Sequence, residues 1–232
     1  IGGRVVGKKD ANGNTLTGGV VGILVAGEAQ DCYNTGNVTG KGNNVGGVIG
    51  VTNPFSTVQD CYNTGNVTGE GDYNFIGGVV GYANESSTIS ECYNTGKING
   101  QGNYVGGVVG MAEESSTISE CYNVGNITGT NITGGVVGNA LASTTVSECY
   151  NTGNVNSYQW AGGIAGGAAN IITKCYNTGN VLSMNSAGTG GIVGTCVTGN
   201  SQKISLCYND GTIQAQDGVG GISGRLGGEG YA

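Results

Sequence analysis

The tripeptide Cys-Tyr-Asn recurs along this chain, beginning at Cys32, Cys61, Cys92, Cys121, Cys149, Cys175 and Cys207, at spacings of 29, 31, 29, 28, 26 and 32 residues. A second block, Gly-Gly-(Val/Ile)-x-Gly, alternates with it from Gly18, Gly46, Gly77, Gly106, Gly134, Gly162, Gly190 and Gly220. A repeat of this length is one supersecondary unit that buries its apolar face only against its neighbours, so the chain must fold as a stack. The unit 77–98 shows its grammar: GGVVG, a polar stretch, STIS, ECYNTG, then Ile98. Short β-branched runs are punctuated by glycine and asparagine every five to eight residues, without the three-and-four periodicity of an amphipathic helix.

Composition decides between stacks. The chain has 50 glycines and one proline in 232 residues. Helical repeats would not carry that many glycines, each costing about 0.8–1.0 kcal/mol in a helix interior, and collagen needs proline with its glycine. With 37% hydrophobic and 10% charged residues, the chain lacks the signature of disorder. The reading is all-β: a parallel β-solenoid of about eight coils, roughly 28–30 residues per coil, with three short strands in each. We take residues 1–232 as one solenoid domain, expected to be a fragment of a longer surface protein.

Stacking puts equivalent residues about 4.8 Å apart in ladders. Val20, Val48, Val79, Val108, Val136, Ile164, Ile192 and Ile222 are always β-branched and should face the core, whereas the next position drifts to Ala165 and Ser223 and should be partly exposed. Val38, Val67, Ile98, Ile127, Val155, Val181 and Ile213 make a second core ladder, and Val58, Ile89, Ile118, Val146, Ile172 and Ile204 a third, around one dry interior. The glycines four positions after each cysteine, from Gly36 to Gly211, suggest left-handed turns, and the asparagines from Asn34 to Asn209 an amide ladder.

Eight cysteines without any histidine do not make a zinc site, because no two repeat cysteines lie close in sequence and tetrahedral ligation needs convergent donors. In-register strands carry their Cβ vectors in parallel, so a reduced thiol ladder is expected, with the cysteines acting as small hydrophobes. No cofactor and no metal is expected. Strand alternation then turns Tyr33, Tyr62, Tyr93, Tyr122, Tyr150, Tyr176 and Tyr208 outward. This stripe is the candidate ligand-binding set, for sugar rings or protein, and its plain alternative is ring packing from coil to coil. Asp31, Asp60, Glu91, Glu120 and Glu148 form an acidic rank that lapses at Lys174 and Leu206 and reads as a solvated face, since one carboxylate per coil is thin for calcium.

The blocks GGVVG, GGVIG, GGIAG and GGIVG alternating with CYNTGNV resemble the GLUG-motif repeat family, over about residues 18–224. The resemblance implies a place in large secreted or wall-attached bacterial proteins, including adhesin-like proteins and the non-catalytic parts of IgA-specific metallopeptidases, whose H-E-x-x-H zinc motif cannot exist without histidine. The expected function is a non-catalytic repeat module at the bacterial cell surface or outside it, a spacer with an adhesive face for a host or bacterial glycan or protein, joined to neighbouring domains. The competing class is a polysaccharide-active β-helix enzyme or its accessory binding domain. Such sites break the repeat and gather Asp, Arg or Lys in a cleft, and the breaks here, near Phe55 and around Tyr158, Gln159 and Trp160, have no basic residue beside them. A net charge of −7 without clustered Lys or Arg argues against nucleic acid as a partner, and no apolar run is long enough to insert in a membrane.

Overall fold

A computed structural model describes residues 4–7, 16–71, 75–168, 171–185, 188–196 and 203–225. They form a parallel β-solenoid. One coil contains the strands Phe75–Gly77, Val80–Ala83, Thr88–Ser90, Tyr93–Asn94 and Ile98–Gly100, and each strand belongs to one of five sheets, numbered 1 to 5 here in that order. Sheets 1, 2 and 5 have eight strands, and sheets 3 and 4 have seven. Pairing is parallel and in register, with Tyr62 opposite Tyr93, Val67 opposite Ile98 and Gly77 opposite Gly106. Among the described residues no helix is long and apolar enough to cross a membrane.

The coil is therefore cut into five short strands where three were expected. The reason lies in the corners. The residue before each Cys-Tyr-Asn cysteine sits at positive φ, with Asp60 at 52°, Glu91 at 55°, Glu120 at 54° and Lys174 at 55°, and so does a second corner residue at Phe55, Ser86, Ser115 and Ser143. These bends separate sheet 2 from sheet 3 and sheet 3 from sheet 4. The left-handed turn thus falls five residues ahead of the glycine to which the spacing assigned it. Gly65, Gly96, Gly125, Gly153, Gly179 and Gly211 are glycine for a different cause. A Cβ on Gly96 would lie 2.0 Å from the Gly65 carbonyl oxygen one coil away, so close backbone approach between coils, not conformation, excludes a side chain.

The interior also departs from a single dry core. One apolar cluster joins the Val48, Ile49 and Val58 ladders to the cysteines, and a second joins the Val38 and Val45 ladders. Between them runs the asparagine column. Asn94 is fully buried, and its Nδ2 donates to the Gly96 carbonyl and to Asn123 Oδ1, both at 2.8 Å, while its Oδ1 accepts from Asn63 Nδ2 at 2.8 Å. A Cβ on Gly78 would fall 2.5 Å from the Asn94 side chain, so the paired glycines make room for the amides. Ile49, Val80, Val109, Val137 and Ala165, expected to be partly exposed, are fully buried. At that corner Val79 and Val80 both donate their N–H to the Val108 carbonyl, at 2.9 and 3.0 Å. The chain bends there, and two consecutive side chains enter the core.

The three β-branched ladders otherwise lie where their chemistry places them, fully or almost fully buried from Val48 to Ile192, Val38 to Val181 and Val58 to Ile172. Val20 and Ile222, at the outer coils, are each 38% exposed because a neighbour covers only one side.

Candidate binding surface

The tyrosines of sheet 4 form one continuous stack. Ring centroids from Tyr33 through Tyr62, Tyr93, Tyr122, Tyr150 and Tyr176 are separated by 5.0, 4.8, 4.8, 4.7 and 4.9 Å, with interplanar angles of 2–6°. Tyr208 breaks away, at 6.4 Å and 39° from Tyr176. Parallel rings at the coil repeat cover one another's faces, so each inner ring offers solvent its edge and its hydroxyl. Burial between neighbours raises the phenol pKa of Tyr93, Tyr122 and Tyr150, and adjacent phenols raise it further. The structure thus brings all seven candidate residues into one rank and makes that rank a hydrogen-bonding edge, not a flat aromatic platform. A saccharide ring stacks on an aromatic face, and inside this stack the faces are occupied.

Beside this rank lie the carboxylates. Their left-handed backbone turns them outward, and two find partners: Glu91 Oε1 accepts from Gln59 Nε2 at 3.1 Å, and Glu148 Oε1 pairs with Lys174 Nζ at 2.8 Å. The Lys174 side chain is solvent-exposed, so this pair is a surface contact of small energetic weight. Among the described residues no group of three or more Cys, Asp or Glu could hold a metal ion.

All eight cysteines are free thiols, buried from Cys61 to Cys196 and half-buried at Cys32 and Cys207. Each repeat thiol donates to the carbonyl two residues earlier, as Cys92 to Ser90 at 3.0 Å and Cys121 to Ser119 at 3.1 Å. Burial pushes the Cys121 thiol well above its ordinary value, helped by the thiols of Cys149 and Cys92, and burial likewise raises Cys196. A nucleophilic cysteine needs the opposite, a stabilised and accessible thiolate.

Two features escaped the sequence reading. A second asparagine rank runs outside, where the side-chain carbonyls of Asn37, Asn66, Asn126, Asn154 and Asn180 each accept the backbone N–H of the next coil at 3.0–3.1 Å. Its signal was present as the Asn of Gly-Asn-Val. The other is an aromatic cluster where sheets 1 and 2 meet, with Phe75 5.2 Å from Tyr82 and 5.4 Å from Tyr104, at interplanar angles of 43° and 33°. Of the noted breaks, Phe55 is 77% exposed at a corner, and Trp160 begins the sheet 1 strand paired with Ile132.

A parallel β-solenoid built by stacking one glycine-rich coil in register defines a repeat module. Residues 74–99 match the GLUG motif family. That segment is one coil, from the sheet 1 strand beginning at Phe75 to the Ile98 ladder, so the motif and the structural repeat coincide. None of the curated proteins and none of the solved structures matches this chain.

Proposed function

We propose that this chain is a non-catalytic repeat module of a secreted or cell-surface bacterial protein, a spacer that also carries an adhesive surface for glycan or protein. The observation that carries the reading is the unbroken register. From Tyr33 to Tyr208 every coil contributes the same inward asparagine and the same outward tyrosine. A catalytic cleft is built by departing from such a repeat, so that an acid, a base and a substrate-positioning group converge. Here equivalent groups are held apart along the axis, the thiols from Cys61 to Cys196 are buried behind the sheets, and the exposed carboxylates stand in single file. The resemblance of the coil to repeats of surface proteins supports the placement outside the cell.

Two measurements test the reading. Protease shaving of intact cells that make the natural full-length protein should release peptides from this chain, and peptides that emerge only after lysis would contradict the surface placement. Incubation of the purified chain with neutral and acidic polysaccharides should release no reducing ends above blank. Release that disappears on replacing an exposed carboxylate would make it an enzyme.

A further inference from the structure

Sheets 1 and 2 do not simply continue around the coil. They fold against each other outside the core. The mid-strand glycines of sheet 2 rest on the backbone of sheet 1: a Cβ on Gly110 would meet the Ile76 nitrogen at 2.5 Å, and one on Gly138 would meet the Val105 nitrogen at 2.8 Å. Outward side chains flanking this contact converge on an inside corner that runs along the solenoid axis. Their burial reports the concavity. Val51, Met111 and Asn139 point away from both apolar cores yet are only 6–7% exposed.

The sheet 1 rank of this corner reads Asn44, Phe75, Tyr104, Ile132, Trp160 in consecutive coils. The tyrosine rank repeats one residue from coil to coil, whereas this one runs from amide to indole. Stacking does not demand aromatic residues here, because Asn44 holds the same register. The rings differ from the tyrosine ladder in attitude too. Tilted by 33–43°, Phe75, Tyr82 and Tyr104 cannot cover one another's faces as parallel rings do.

Polar groups are spaced among the rings. Asn44 is 8% exposed, and its buried Oδ1 has no hydrogen-bond partner among the described residues, so an amide stands in the same rank as the rings. Burial raises the pKa of the Tyr82 phenol, and the nearby carboxylates of Glu113 and Glu85 raise it further. The rim is thus acidic and the floor uncharged. An added peptide strand has no ladder to join along this corner, since strands of both sheets are already paired on their two sides.

We propose that this inside corner is a binding cleft for a segment of neutral polysaccharide lying along the solenoid axis, with Phe75, Tyr104 and Trp160 stacking on sugar rings. Aromatic faces meet the apolar faces of sugars, the Tyr82 hydroxyl and the neighbouring carboxylates meet sugar hydroxyls, and the acidic rim repels anionic glycans. The coil rise of about 4.8 Å is close to the length of one sugar ring, so successive coils can address successive residues of an extended chain. The proposal rests on the adhesive half of the function given above and names its site and ligand class.

The test uses the intact chain and isothermal titration against cellohexaose, chitohexaose and mannohexaose, with hexagalacturonate as the acidic comparison. The triple substitution Phe75→Asn, Tyr104→Asn, Trp160→Asn copies the residue that Asn44 already places in this rank, so the coil should still form, as far-ultraviolet circular dichroism would verify. We expect at least one neutral hexasaccharide to bind, a loss of at least tenfold in the triple variant, and unchanged binding in Tyr93→Thr, Tyr122→Thr. Absence of binding by all three neutral sugars, loss confined to the tyrosine-ladder variant, or equal affinity for hexagalacturonate would each overturn the proposal. Failure here would leave the spacer reading standing, because cell shaving and reducing-end release test that separately.

Discussion

Replacing Asn94 by alanine probes the asparagine column at its centre. Asn94 takes part in four hydrogen bonds: Nδ2 to the Gly96 carbonyl and to Asn123 Oδ1, Oδ1 from Asn63 Nδ2, and Oδ1 from the Gly96 N–H at 3.2 Å. Every partner is buried, and a methyl group leaves four of their polar positions unmatched between the two apolar clusters. A typical net bond contributes about 1 kcal/mol, and each buried group left unpaired costs about 1–3 kcal/mol. The substitution should therefore destabilise the chain by about 4 kcal/mol at least. Asn66→Ala is the control, because Asn66 is exposed and gives up only its bond from the Lys97 N–H at 3.1 Å, for an effect below about 1 kcal/mol. Urea unfolding followed by circular dichroism, with both variants and the parent at one protein concentration, reads the difference as a shift in midpoint. If Asn94→Ala and Asn66→Ala unfold within about 1 kcal/mol of each other, the column is not a buried hydrogen-bonded wall and the reasoning fails.

Gly96→Ala should lower the melting temperature sharply, since its methyl would sit 2.0 Å from the Gly65 oxygen and overpacking of this kind costs about 1–3 kcal/mol or more. Gly22→Ala, whose nearest neighbour would be 3.5 Å away, should change it little, and a reversed order in thermal melts would contradict the close-approach explanation. Glu120→Gly relieves a side chain held at φ 54° and should stabilise by about 0.5–1 kcal/mol, because a left-handed residue with a Cβ costs about 1–2 kcal/mol and glycine returns part of that as unfolded-state entropy. A lower urea midpoint in that variant would refute the corner assignment. Burial holds the Cys121 thiol protonated well above its ordinary range. Between the unfolded value of about 8.5 and the higher folded value the unfolded chain carries fewer protons, so stability is full below about pH 8.5 and declines as pH rises beyond it. Unfolding midpoints measured from pH 7 to 10 should fall at the alkaline end, and Cys121→Ala should flatten the fall.

The repeat was plain in the sequence because each coil meets the same neighbours, so identical residues recur wherever packing is identical. That made the inward β-branched ladders, the thiol file and the tyrosine rank legible before any coordinates. Corners were less so. A residue such as Glu91 at φ 55° carries no compositional mark of a left-handed turn, and the glycine at Gly96 looks the same whether it serves conformation or close approach. The division of the interior also needed three dimensions, since Gly78 and Asn94 are sixteen positions apart in sequence and in contact across the coil. The aromatic corner was hidden for the opposite reason. Trp160 stood out as a break, but Phe75 and Tyr104 did not, and periodicity reports what recurs, not which varying residues share one register position.

The in-register parallel stack itself can be measured by solid-state NMR. With carbonyl-¹³C tyrosine as the only label, the ladder from Tyr33 to Tyr208 places equivalent carbonyls at the inter-strand spacing of about 4.8 Å. Homonuclear dipolar recoupling should then give a decay dominated by that distance. A decay corresponding to separations well beyond the spacing between neighbouring strands would show that the coils do not stack tyrosine on tyrosine, and the solenoid described here would be wrong.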